Sequence, residues 1–220
     1  EIYHPGVVDL AQGERSHSGQ SSLRVTFSAD EDGYGAYVFL PEQEHIFTRY
    51  LDYFETDFDF ACGMKVHRLS SFNEGADVNW YDIISVVFGQ GGGPSGRDFC
   101  GMNDPDTLAC GYNGGPTDWG EVGAAAPIGR GRWQCVETEV RLNTPGQTDG
   151  EVRFWADSVL VAEQTGLNIR GGLTAGLDRV LFGGWYSNGC GGQNPCIDPQ
   201  TPAVRYLDDL VVATTRIGCP

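Results

Sequence analysis

One lysine, Lys65, stands among the 14 basic residues of this chain, and the other 13 are arginines. It lies in Gly63-Met64-Lys65-Val66-His67-Arg68-Leu69, a run that reads as a β-strand. With the period of 2 of a strand, Lys65 and His67 project from one face and Met64 and Val66 from the other, which sets an ammonium beside an imidazole. That pair suits acid–base work on an anionic substrate, since an imidazole with a reference pKa of about 6.5 exchanges protons near neutrality. The simpler reading is a solvated strand face with two polar residues.

The elements that must position these residues are also strands. A polar turn, Ser16-His17-Ser18-Gly19-Gln20-Ser21, precedes the alternating run Leu23-Arg24-Val25-Thr26-Phe27. Residues 36–40 and 45–54 read as strands on either side of a turn, Pro41-Glu42-Gln43-Glu44. The acids Asp52, Glu55, Asp57 and Asp59 sit among aromatics without the Asp-x-Asp-x-Asp-Gly spacing of a calcium loop, so they read as a solvated edge over buried aromatics. Residues 80–89 form an apolar strand whose one aliphatic hydroxyl is Ser85. Residues 90–131, with Tyr112 and Trp119, form a long irregular region of the kind that often carries function. Its glycines lack the Lys-Ser/Thr and the helix of a phosphate cradle. In 133–143, Cys135, Glu137, Glu139 and Arg141 make a charged, exposed face opposite Val136, Thr138, Val140 and Leu142. A hairpin turn at 147–150 leads to a return strand with Arg153 and Trp155 on one face, Asp157-Ser158 turns again, and 180–186 and 203–213 are the last strands. No long helical period occurs, and the chain reads as all-β.

Composition agrees. The 220 residues include 32 glycines and 11 prolines with 40% hydrophobic content, which describes many short strands joined by tight turns and a single domain over 1–220. A net charge of −16 argues against nucleic acid and anionic membrane surfaces as partners. Seven cysteines without a CxxC pair read as the disulfides of a secreted protein. Cys100 with Cys110, and Cys190 with Cys196, are expected to close local loops; Cys62, Cys135 and Cys219 remain, one of them in excess. The chain begins at Glu1 with no signal peptide or membrane-length apolar run, as expected of a trimmed secreted protein.

The order of the runs at 16–25, 47–50 and 63–69, then Trp133, Glu137, Arg141-Leu-Asn-Thr-Pro-Gly146, Asp149-Gly150, Arg153-Phe-Trp155, Phe182-Gly-Gly184 and Tyr206-Leu-Asp-Asp209, resembles the alginate and glucuronan lyases of polysaccharide lyase families 14 and 20. The resemblance implies a β-jelly roll of two antiparallel sheets, concanavalin-like, with a concave face that holds a polyuronate. It implies β-elimination at a 4-linked uronate, with no obligatory metal or organic cofactor and an acidic polysaccharide as partner of a monomer. Such chemistry needs charge neutralisation at the C6 carboxylate, a base for the C5 proton and an acid for the departing O4. Lys65 matches the family lysine by position, with Gly-Met before it in place of Gly-Gly. Ser85 matches the serine of a Ser-x-Arg, but Val87 stands where the arginine belongs. Arg141 and Arg153 are candidates to replace that charge; Arg68 is the weakest, because alternation points it away from Lys65. The family's Tyr-x-Tyr has no clean counterpart, which leaves Tyr112 and Tyr186, and His67 ranks beside Lys65. Glu137, Trp119 and Trp155 complete the expected substrate-binding set.

Two other classes compete. A glycoside hydrolase would use Glu137 and Glu139, about 7 Å apart on one strand face, although beside Arg141 they read more simply as a charged ladder. A non-catalytic carbohydrate-binding module would use aromatic platforms from Trp80, Tyr81, Trp119, Trp155, Trp185 and Tyr186. A calcium ion away from the cleft, with Asp208 and Asp209 as ligands, is a further expectation.

Overall fold

The structure is a computed structural model and describes residues 2–3, 8–27, 34–58, 64–71, 81–88, 96–104, 107–108, 129–169, 174–186 and 203–220. Among the described residues every element is a strand, and no helix is long and apolar enough to cross a membrane. Two antiparallel sheets form. In the first the spatial order is β1 (Ile2–Tyr3), β4 (Tyr34–Gln43), β13 (Leu177–Tyr186), β6 (Met64–Ser71), β7 (Tyr81–Phe88), β8 (Gly96–Asp104) and β9 (Thr107–Leu108). In the second it is β12 (Val159–Leu167), β11 (Gly150–Ala156), β10 (Trp133–Arg141), β5 (His45–Phe54), β14 (Ala203–Ala213), β3 (Ser21–Phe27) and β2 (Val8–Gln12).

Alternation places the core between the sheets. Val38, Leu40, Val180 and Phe182 of the first sheet meet Ile46, Tyr50, Phe54, Val136, Val140, Val152, Phe154 and Leu207 of the second in one apolar cluster. The rings of Tyr50 and Phe182 cross it edge to face, 5.7 Å apart. β4 approaches β13 so closely that a Cβ on Gly35 would lie 2.4 Å from the Phe182 carbonyl oxygen, which only glycine avoids.

Inside this core lies an ion pair that alternation did not disclose. Asp52, expected at a solvated edge, is 2% exposed and receives Arg205 Nε–H at 2.7 Å and Nη2–H at 2.8 Å on its two oxygens. Burial raises the Asp52 pKa despite the pull of Arg205, and it works against the Arg205 charge, which the Asp52 carboxylate more than restores. Tyr50 and Phe54 flank the guanidinium with centroids at 5.7 and 5.3 Å.

The outer face of the second sheet is covered as well. Cys135 is bonded to Cys219, 84 residues away, and the C-terminal segment that follows β14 lies over β10. Ile217 N–H donates to Glu137 Oε1 at 2.8 Å, and Arg216 stands 4.6 Å over the ring of Trp155. The face of β10 expected to be exposed is therefore buried from Cys135 to Glu139, and only Arg141 opens to solvent. At the other side of this face, residues 13–20 are clamped by β14. Asp208 Oδ2 accepts from His17 N–H at 2.7 Å and Ser18 N–H at 3.1 Å, while Asp209 accepts from Ser18 Oγ–H and pairs with His17 Nδ1 at 2.9 Å.

Other sequence expectations meet the structure unevenly. Asp157 and Ser158 both take left-handed backbone, φ 49° and 68°, as the two-residue turn between β11 and β12 requires. The Pro41-Glu42-Gln43 turn is instead the end of β4, with the bend at Glu44. β8 and β12 were not anticipated. Cys135–Cys219 draws on the three cysteines left after the local loops; Cys62, Cys110, Cys190 and Cys196 lie outside the described residues.

Replacing Arg205 by Met is expected to destabilise the protein by about 3–5 kcal/mol in urea unfolding, because Asp52 is left buried and unpaired. The double variant Asp52→Leu/Arg205→Met should recover most of that loss. The turn clamp gives a pH signature. The Ser18 hydrogen bond, with His17 beside it, holds the Asp209 pKa below its ordinary value. Its stabilisation is therefore present above the unfolded carboxylate pKa of about 3.9 and is lost as pH falls through the lower folded value. Between pH 5 and 3 the melting temperature of wild type should fall further than that of Asp209→Asn.

Candidate active site

β6 runs through the middle of the first sheet, between β13 and β7. Lys65 stands opposite Trp185 on β13 and Val87 on β7, and His67 stands opposite Phe182 and Val86. Ser85 faces Arg68 on one side and Cys100 on the other, and Tyr186 faces Met64. Four of the expected residues, Lys65, His67, Ser85 and Tyr186, thus fall on three adjacent strands.

Their mutual placement differs from simple alternation. Two register shifts fall here, one between Lys65 and His67 against β7, the other between Phe182 and Trp185 against β13. On β7 the partners of Lys65 and His67 are consecutive residues, which a pleated strand shows to opposite faces. On β13 the partner of His67 is Phe182, 1% exposed and part of the core. The expectation that Lys65 and His67 share a face is thereby corrected: Val66 is the extra residue, and the period restarts after it.

The outer face of this sheet, turned away from the core, carries residues that sequence reasoning missed. Tyr37 and Phe39 stack at 6.2 Å on β4, opposite Leu181 and Arg179 of β13. The Arg179 guanidinium stands 5.2 Å from the Phe39 centroid. Phe39 is 54% exposed, an aromatic surface beside a cation. The available signal was the phase of 36–40, since Val38 and Leu40 pack inward and leave Tyr37 and Phe39 outside.

The remaining expected residues are elsewhere. Glu137, Arg141, Arg153 and Trp155 sit on the outer face of the second sheet. Arg153 pairs with Glu139 at 3.0 Å, with Glu151 at 3.1 Å and with Glu163, and these contacts raise its pKa further, the Glu163 hydrogen bond most of all. Arg141 pairs with Glu151, and Glu139 also meets His45 Nε2 at 2.8 Å. The structure does not bring these groups to Lys65, so neither arginine supplies charge beside it. Glu137 and Glu139 hold the C-terminal segment and the arginine ladder rather than flanking an open sugar site. A cavity of about 810 Å³, lined by Gln12, Arg15, Ser16, Gln20 and Trp133 among others, also belongs to the second sheet and its turn.

Asp208 and Asp209 form the turn clamp described above, and among the described residues no three His, Cys, Asp or Glu groups converge to hold a metal ion. Tyr112 and Trp119 lie outside the described residues. Tyr50, in the core, is no base, since burial pushes its pKa well above the usual tyrosine range.

No family model and no curated protein sequence matches the chain. Solved structures do. A glucuronan lyase from the fungus Trichoderma reesei matches with a TM-score of 0.67 at 12% identity, over 98% of this chain and 90% of that one. The marine family-14 alginate lyase from Aplysia kurodai matches with 0.63 at 17%, over 97% and 90%. A cellulose-induced protein matches with 0.60 at 16%, over 100% and 93%. The chain thus has the β-jelly roll of two antiparallel sheets, the fold of solved glucuronan and alginate lyases.

Proposed function

We propose that this protein is a secreted polysaccharide lyase that cleaves a 4-linked polyuronate, alginate or glucuronan, by β-elimination. The observation that carries the reading is the register of Lys65 opposite Val87, two residues from Ser85, on the neighbouring strands β6 and β7 of a sheet whose outer face also bears Phe39 and Arg179. Lys65 neutralises the uronate carboxylate, which acidifies the C5 proton. A base takes that proton, the C5–H electron pair forms the C4=C5 double bond, and O4 departs with its electrons and takes a proton from an acid. Tyr186 pairs with Met64, one step along from the Lys65–Trp185 pair and so on the opposite face of the pleat, which leaves Tyr112 as the tyrosine proposed for such a transfer. A phenol with a reference pKa of about 10 needs neighbouring cations to act as base near neutrality, and Lys65 supplies one.

The charge of −16 is compatible with a polyanionic substrate, since charges farther than about 8 Å are screened at physiological salt. The chemistry calls for no metal. A second reading, a carbohydrate-binding module without turnover, is favoured by the exposed Phe39 stacked on Tyr37, which offers a platform for a sugar ring.

Absorbance at 235 nm during incubation with polymannuronate, polyguluronate and glucuronan distinguishes the two, because elimination creates a conjugated double bond. The lyase reading expects a rise on at least one polymer and its loss, by 100-fold or more, in a folded Lys65→Ala. Flat traces on all three, with and without calcium and from pH 5 to 10, would overturn it.

A further inference from the structure

The bulge at Val66 also moves Arg68. Strict alternation assigns Arg68 to the face opposite Lys65, yet the register does the reverse. Lys65 pairs with Val87 and Arg68 pairs with Ser85, and Ser85 and Val87 are two residues apart on β7, the spacing of one sheet face. On β13 Arg68 pairs with Leu181, which lies between the core residues Val180 and Phe182 and therefore belongs to the outer face. Arg179, opposite Ser70, continues the same row. Three cationic residues of a strongly acidic chain thus fall on one outer-face row, Lys65 and Arg68 about 7 Å apart as measured along β7. Asp98 stands opposite Val87 at one end of this row; at the other, Asp178 lies 3.8 Å from Arg179, and Asp82 pairs with Ser70 beyond a second register shift, between Leu69 and Ser70.

We infer that Arg68 is the second cationic contact of the uronate carboxylate, acting with Lys65 across the Ser85 position; this rests on the polyuronate reading above. The chemistry asks for two different cations. An ammonium is a point charge that neutralises without fixing an orientation, whereas a guanidinium grips both carboxylate oxygens in one plane. Fixing that plane aligns the C5–H bond for transfer while Lys65 answers the charge that develops. Val87 brings no charge to the position opposite Lys65, and the bulge brings Arg68 to the neighbouring one.

The test uses the full chain, the three polymers named above, and the variants Arg68→Gln, Arg68→Lys and Arg68→Gln/Val87→Arg, each checked for folding by circular dichroism. Where wild type shows turnover, Arg68→Gln is expected to lose tenfold or more in kcat/KM, chiefly through KM. Arg68→Lys should be intermediate, and Val87→Arg should restore part of the loss, which a merely structural role for Arg68 does not predict. A folded Arg68→Gln within twofold of a working wild type overturns the inference and leaves the lyase reading standing. Should Arg68→Gln fail to fold, Arg68→Lys decides by the same criterion, a rise in KM against none. Where wild type shows no turnover, the lyase reading fails and titration calorimetry on the same polymers decides for Arg68: binding at least tenfold weaker in Arg68→Gln supports it, and equal binding, or none by wild type, overturns it.

Discussion

The pleat of a β-strand constrains this protein more than any single contact. Two sheets share a core only if each strand keeps one row of apolar residues inward, and a one-residue slip would turn every such row to solvent. Val38 and Leu40, Val180 and Phe182, Val136 and Val140 all obey that rule. At Val66 one extra residue is accommodated between β7, which continues on one side, and the glycine pair Gly183-Gly184 on the other. The bulge keeps His67 and Leu69 in register with Phe182 and Val180 and shifts the period at Lys65.

The buried Asp52–Arg205 pair is the second constraint. An arginine with no exposure inside an apolar sandwich is tolerated only with its carboxylate, both forks engaged and aromatic rings on either side. It ties β5 to β14 at the centre of the second sheet, where the segments that cover that sheet also converge. The outer face of the second sheet is closed by the disulfide-held C-terminal segment and the clamped turn at 13–20. On the first sheet an exposed Phe39 on β4 lies against Arg179 on β13, the neighbour of the strand of the sole lysine. Under the proposed function, that asymmetry gives the two faces different work.

A polyuronate lyase needs a cationic row on a β surface, and a very acidic chain can supply one only locally. The register of β6 concentrates Lys65 and Arg68 on one row with Arg179 at its continuation. Arg141 and Arg153 of the second sheet are neutralised in place by Glu139, Glu151 and Glu163, and Arg179 lies 3.8 Å from Asp178.

By itself the sequence determined what local pattern can determine. Alternating runs and turn residues specify strands, so the all-β class, the hairpin at Asp157-Ser158 and most strand positions were legible, and the order of short motifs pointed to the lyase jelly roll. Lys65 stood out by composition alone. What only the tertiary structure decided is everything that depends on a partner strand. Asp52 read as a solvated acid because its arginine lies 153 residues away. Glu137 and Glu139 read as exposed because the segment that buries them arrives from the C-terminus. Lys65 and His67 read as neighbours on one face, and Arg68 as turned away, because a bulge is a mismatch between two strands and leaves no trace in the period of either one alone.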